Sequence, residues 1–127
     1  MKKILVVDDS ESDHFYNEII LRGRYETIKI IQAYDGQEAL ERLSEHKEEL
    51  PDLILLDINM LRMNGHDFLK EYSPRGDREI PIVVMLTSSD QDQDKSLTMG
   101  YKCVKDYMVK PIDAGKLDKL ETLLASL

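Results

Sequence analysis

Short apolar runs alternating with amphipathic stretches predict an α/β protein: a five-stranded parallel sheet with helices on both faces, in three layers. Three observations carry this. Five apolar runs of strand length alternate with five stretches of helical spacing, the order that builds parallel sheets through right-handed crossovers. Leu53-Ile54-Leu55-Leu56 is apolar at every position, a pattern required only where both faces of a strand are covered. The 127 residues, 42% hydrophobic and 33% charged, suffice for one core and one domain over residues 1–127.

In chain order, the first strand is Lys3–Val7, which ends on Asp8-Asp9. Ser10 suits the cap of a helix over residues 11–21, because its oxygen can accept an unpaired N–H of the first turn. Phe15, Ile19 and Arg22 share one face of that helix, and Gly23 follows as a stop. Residues 27–31, Thr-Ile-Lys-Ile-Ile, are β-branched and form the second strand. Asp35-Gly36-Gln37-Glu38 has capping-box spacing and opens a helix to about Lys47, with Ala39, Leu40 and Leu43 inward. The Leu53–Leu56 strand follows Pro51-Asp52. Residues 59–64 form a loop, and Asn64 caps a third helix carrying Phe68, Leu69 and Tyr72. Ser73-Pro74-Arg75-Gly76-Asp77 is a turn-rich break. Residues 80–86 make the fourth strand, with Pro81 near its start, where a missing N–H is tolerated. Asp90 caps a helix over 91–99 whose apolar face is thin, resting on Leu97 and Met99. Val104–Val109 is the fifth strand, ending at Lys110-Pro111. Asp113 caps a last helix with Leu117, Leu120, Leu124 and Leu127 at helical spacing.

Composition narrows the function. Seventeen basic and 25 acidic side chains give a net charge of -8, which argues against a nucleic-acid surface and leaves basic protein partners open. Cys103, alone, excludes an internal disulfide and has no His or CxxC neighbour, so it reads as a small buried apolar residue. The apolar run after Lys2-Lys3 is too short for a signal peptide, and no run reaches membrane-spanning length. A cytoplasmic protein without a membrane partner, and without a second domain after the last helix, is expected. His14, His46 and His66 fit no metal spacing and read as surface or helix residues.

Four strands end on chemically useful side chains: Asp8 and Asp9, Asp57, Thr87 and Lys110. In a doubly wound sheet these carboxyl ends share one edge. Singly, each has an ordinary reading as a strand-end acid, a turn hydroxyl or a solvated lysine. Together they resemble a phosphoryl-transfer site. Clustered carboxylates repel one another and favour a hard divalent cation, Mg²⁺ or Mn²⁺, through oxygen ligands. Asp57 can act as nucleophile and form an acyl phosphate, with the metal, Lys110 and Thr87 stabilising the transferring group. No phosphate-binding glycine loop is present.

Val6-Val7-Asp8-Asp9-Ser10, Leu55-Leu56-Asp57-Ile58-Asn59-Met60, Leu86-Thr87-Ser88 and Asp106-Tyr107-Met108-Val109-Lys110-Pro111 resemble the motifs of response-regulator receiver domains, over essentially the full chain. The resemblance is to the single-domain, chemotaxis-regulator-like members of two-component signalling. It implies a flavodoxin-like (βα)5 fold with strand order 2-1-3-4-5. It implies that Asp57 takes a phosphoryl group from a histidine kinase or phosphotransfer protein. Asp9 and Asp57 would bind Mg²⁺ directly, with the Asn59 carbonyl as a third ligand and Asp8 acting through water. Lys110 would contact the phosphoryl group, and Lys110-Pro111 would be cis. Thr87 and Tyr107 would be switch residues, the hydroxyl moving toward the phosphoryl group and the ring turning inward. Such a protein catalyses its own phosphotransfer and autodephosphorylation without being a turnover enzyme on a separate substrate.

Two departures stand out. Leu61 occupies the place of the family's usual proline, and Cys103-Val104 replaces the usual Gly-Ala pair before the last strand. Strand alternation sets Tyr107 opposite to Lys110, so the two report at different surfaces. The expected output is a change in the fourth strand, fourth helix and fifth strand, read by an unknown downstream protein. Two other classes compete. A haloacid-dehalogenase-like phosphohydrolase needs a second acid two residues after the nucleophile, where Asn59 stands. A flavodoxin-like cofactor module needs a phosphate cradle after the first strand, where Asp8-Asp9 would repel phosphate.

Overall fold

The computed structural model describes residues 1–73 and 81–126. Its strands are β1 (Lys3–Val7), β2 (Lys29–Ala33), β3 (Leu53–Leu56), β4 (Ile82–Thr87) and β5 (Val104–Val109). The helices that alternate with them are α1 (Glu11–Arg24), α2 (Gly36–Glu45), α3 (Gly65–Tyr72), α4 (Asp92–Met99) and α5 (Ala114–Ala125). All pairings are parallel, in the order β2-β1-β3-β4-β5. This is the expected α/β, flavodoxin-like (βα)5 arrangement, with β3 at the centre.

Each face of the sheet has its own core, because successive side chains of a strand point to opposite sides. Leu53 and Leu55 of β3 pack with Leu21 of α1 and with Leu117 and Leu120 of α5. Ile54 and Leu56 pack with Leu40 and Leu43 of α2 and with Phe68 and Leu69 of α3. All four β3 side chains are at most 1% exposed, which accounts for an uninterrupted apolar run at this position. Cys103 is buried as expected. The chain turns from β3 into α3 at Gly65, where a Cβ would lie 2.5 Å from the Asp57 carbonyl oxygen.

Several boundaries differ from the sequence expectation. α1 is capped by Ser10, whose Oγ accepts the Asp13 N–H at 3.2 Å, but it continues through Gly23 to Arg24. Its inward residues are His14, Asn17 and Leu21, while Phe15 and Ile19 are exposed. The helix is rotated so that polar groups with specific partners face the sheet. His14 Nε2 donates to the carbonyls of Asp8 and Ala33, at 2.8 and 3.1 Å. His14 is therefore a buried helix residue, not a surface one.

β2 lies two residues later than its β-branched stretch. Its limits follow the ladder to β1, from Lys3↔Lys29 to Val7↔Ala33, rather than local propensity. α2 stops at Glu45. α4 begins at Asp92 with Gln91, not Asp90, in the cap position, and it buries Thr98 while Leu97 and Met99 stay exposed. In α5 the Asp113 cap forms, and Leu123 rather than Leu124 joins Leu117 and Leu120 against the core. The turn expected over residues 74–77, Ile80 of the fourth strand and Leu127 of the last helix lie outside the described residues.

Candidate functional site

The carboxyl edge of the sheet is built by backbone pairing that runs one residue past the strands. Asp57 N–H donates to the Val7 carbonyl at 3.0 Å, and Asp8 N–H to the Ala33 carbonyl at 3.0 Å. These bonds fix Asp8 and Asp57 side by side at the ends of β1 and β3. Lys110 reaches the same edge because its N–H pairs with the Thr87 carbonyl at 2.9 Å. A register shift between β4 and β5 at Val83/Val84 precedes this alignment, so that Thr87 faces Val109. The Lys110-Pro111 bond is cis.

Asp8 and Asp57 are buried, and Asp9 is exposed. The three carboxylates each offer an oxygen within 4.8 Å of the others. That all-oxygen donor set suits a hard divalent cation. Lys110 Nζ lies 2.7 Å from Asp8 Oδ2, 2.8 Å from Asp13 Oδ2 and 3.0 Å from Asp57 Oδ2. The ammonium donates hydrogen bonds to Asp13 and Asp57 and holds Asp8 as a close ion pair. The other oxygens of the buried acids take backbone bonds: Asp8 Oδ1 from Ser10 N–H at 2.9 Å and Asp57 Oδ1 from Ile58 N–H at 2.7 Å. Burial raises the Asp8 carboxyl above the usual range, against the opposing pull of Lys110 and the Ser10 N–H. Burial alone would lower Lys110, but its bonds to Asp13, Asp8 and Asp57 outweigh that and hold it above the ordinary lysine value. The edge therefore holds a fixed cation amid excess negative charge.

On the other side of the sheet, Thr87 is fully buried and its Oγ1 accepts the Ser89 N–H at 3.3 Å. Tyr107 packs against the α2–α3 core, and its hydroxyl donates to the Ser89 carbonyl at 2.7 Å.

The response regulator receiver domain model matches residues 4–121. This chain belongs to the receiver domain family. It is 38% identical over 118 residues to the alkaline phosphatase synthesis transcriptional regulatory protein PhoP of Bacillus subtilis, covering 92% of this chain and 45% of that protein. The receiver domain thus spans under half the length of that relative. A two-component response regulator from Legionella pneumophila superposes with a TM-score of 0.84 at 33% identity, over 100% of both chains. One from Cytophaga hutchinsonii superposes at 0.91 and 25% identity, over 100% of this chain and 98% of the other.

Of the residues singled out from sequence, this receiver domain brings Asp8, Asp9, Asp57 and Lys110 together. Thr87 lies at the same edge, but among the described residues its hydroxyl bonds Ser89 and not Asp57. Asn59 is exposed in the loop after Asp57, and Leu61 is 98% exposed. Tyr107 and Lys110 do point apart, toward the α2–α3 core and toward Asp13 of α1.

Asp13 is the site residue that sequence reasoning missed. The rotation of α1 that turns Phe15 outward turns Asp13 toward the strand ends. The available signal was an acid in the first turn of the helix that leaves the site, behind its Ser10 cap. Ser89 is a second such residue: its N–H donates to Thr87 and its carbonyl accepts from Tyr107.

Proposed function

We propose that this receiver domain accepts a phosphoryl group on Asp57 and passes the signal on by protein contact. The observation that carries this reading is the position of the buried Asp57 carboxylate, at the end of the central strand, 3.0 Å from Lys110 Nζ and beside Asp8 and Asp9. A carboxylate oxygen of Asp57 attacks phosphorus; a P–O bond forms as the P–N bond of a phosphohistidine breaks, and the imidazole nitrogen leaves with the electron pair. Asp8, Asp9 and Asp57, with the Asn59 carbonyl, are the residues to hold Mg²⁺, or Mn²⁺ in its place. When bound, the cation neutralises charge on the phosphoryl oxygens. Lys110, already turned to Asp57, supplies a fixed positive charge to the same oxygens. Asn59 offers no acid where a phosphohydrolase needs one.

The new group brings about -1.5 to -2 charge and further acceptors. Thr87 and Tyr107 are the switch residues in this reading: the hydroxyl bonds the phosphoryl group, and the ring position reports it on the β4–α4–β5 side. A sensor histidine kinase or a phosphotransfer protein supplies the group in the cytoplasm, and a protein target reads it. The chain is not a turnover enzyme on a separate substrate, although it catalyses its own loading and unloading. Incubation with acetyl phosphate, followed by intact mass, tests the reading. Wild type gains one phosphoryl mass with Mg²⁺ and none in EDTA, and Asp57→Asn gains none. Wild type that stays unmodified with Mg²⁺, or Asp57→Asn that is modified equally, sinks it.

A further inference from the structure

A path of polar contacts begins on α3 and ends on both Thr87 and Tyr107. His66 Nε2, in the first turn of α3, donates to Asp94 Oδ1 of α4 at 3.0 Å. Asp94 Oδ2 accepts from Ser89 Oγ at 2.6 Å. At Ser89 the path forks. Its N–H donates to Thr87 Oγ1, and its carbonyl accepts the Tyr107 hydroxyl at 2.7 Å. One side-chain anchor thus sets both backbone groups that touch these two residues.

We propose that His66, Asp94 and Ser89 are positioning residues that tether the β4–α4 segment to α3 and so hold the Tyr107 ring turned in against the sheet. Its meaning for signalling rests on Thr87 and Tyr107 being the switch pair; its physical content does not. Tethering has most effect where burial has least, and α4 is such a place. Its cap residue Gln91 makes no side-chain cap bond, and the one residue it buries is Thr98. Ser89 Oγ accepts the N–H of Gln91 itself at 3.4 Å. Few apolar contacts then oppose a shift of this helix, which puts it among the low-stability elements of the fold. The polar contacts are strong ones. The hydroxyl of Ser89 and the ring of His66 hold the Asp94 carboxyl below the usual carboxylate range, so it stays a charged acceptor, and bonds to a charged acceptor are roughly twice as strong as neutral ones. Side-chain exposures of 23% for His66 and 24% for Asp94 limit screening by water. The tether thereby biases the ring inward before any phosphoryl group arrives.

Carbon-13 tyrosine NMR of the full, unphosphorylated chain tests this, with the Tyr107 signal assigned through Tyr107→Phe. Asp94→Ala and His66→Ala are expected to shift the inward-to-outward ratio by about fivefold, the effect of losing one net hydrogen bond. His66→Gln, which keeps a donor, and Ser89→Thr, which keeps the hydroxyl, are expected to stay at the wild-type ratio. An unchanged ratio in both alanine variants overturns the proposal, and so does a shift that His66→Gln shares with His66→Ala. If Asp94→Ala does not fold, the two His66 variants decide. Acetyl phosphate loading of the same samples is a separate readout. Wild type that takes up no phosphoryl group overturns the phosphoacceptor reading and leaves the tether standing.

Discussion

Lys110 places its ammonium between Asp8, Asp13 and Asp57, two of them almost wholly buried. Removing one partner of a buried ionic cluster costs more than the cluster contributes, because uncompensated charge stays behind. Lys110→Ala is therefore expected to lower stability by roughly 3 kcal/mol in EDTA, measured by urea unfolding. Added Mg²⁺ should recover part of that loss, since a divalent cation relieves the same repulsion; an equal loss with and without Mg²⁺ would count against a cation site at these carboxylates. A second contrast concerns α1. Leu21→Ala, in the core, should cost about 2–5 kcal/mol, whereas Phe15→Ser, at an exposed position, should stay within about 0.5 kcal/mol. At this scale the sequence was legible where residue type and position agreed, as for Asp57 and Lys110. It misled at Phe15, because apolarity alone does not say which helix face is buried when a buried histidine, His14, finds two strand-end carbonyls.

The connection from β3 to α3 is the tightest joint near the site. At Gly65 an added Cβ would meet the Asp57 carbonyl oxygen at 2.5 Å and the Ile58 Cα at 2.9 Å. Both are backbone atoms and cannot move aside as a side-chain tip can. Gly65→Ala should cost about 1–3 kcal/mol by chemical denaturation and slow Asp57 loading, because the displaced backbone carries the proposed nucleophile; loading at the wild-type rate would show that the strain is absorbed elsewhere. On α4, the Asp94 carboxyl is held below its ordinary value by Ser89 and His66. A depressed carboxyl stabilises the fold above its unfolded pKa, and the contribution is lost as pH falls through the folded one. The stability gap between wild type and Asp94→Asn should therefore be full above about pH 5 and shrink below about pH 4. A gap independent of pH across that range would refute a charged Asp94 acceptor. Strand identity at this scale was readable from apolar runs, but the limits of β2 and the cap and buried face of α4 were not. The limits of β2 depend on its ladder partners on β1, which are not local, and α4 starts at Asp92 without a side-chain cap to mark it.

The whole molecule is organised by the doubly covered sheet, which carries each chemically useful residue to one edge. Alternation of runs and amphipathic stretches was enough to read that architecture, because a parallel sheet leaves few ways to cover both faces. The edge could be read in outline for the same reason: strands of a doubly wound sheet deliver their carboxyl ends together. The contacts that cross between elements were not readable, namely Asp13 to Lys110 and His66 through Asp94 to Ser89. They depend on helix rotation and packing. Four carboxylates now share the edge, and the central claim assigns the chemistry to one of them. Borohydride converts an aspartyl phosphate to homoserine, so peptide mapping after acetyl phosphate, Mg²⁺ and borohydride reads the modified position directly. Homoserine at position 57 alone is predicted. Homoserine at Asp8, Asp9 or Asp13, or at no position, contradicts the assignment of Asp57 as the phosphoryl acceptor.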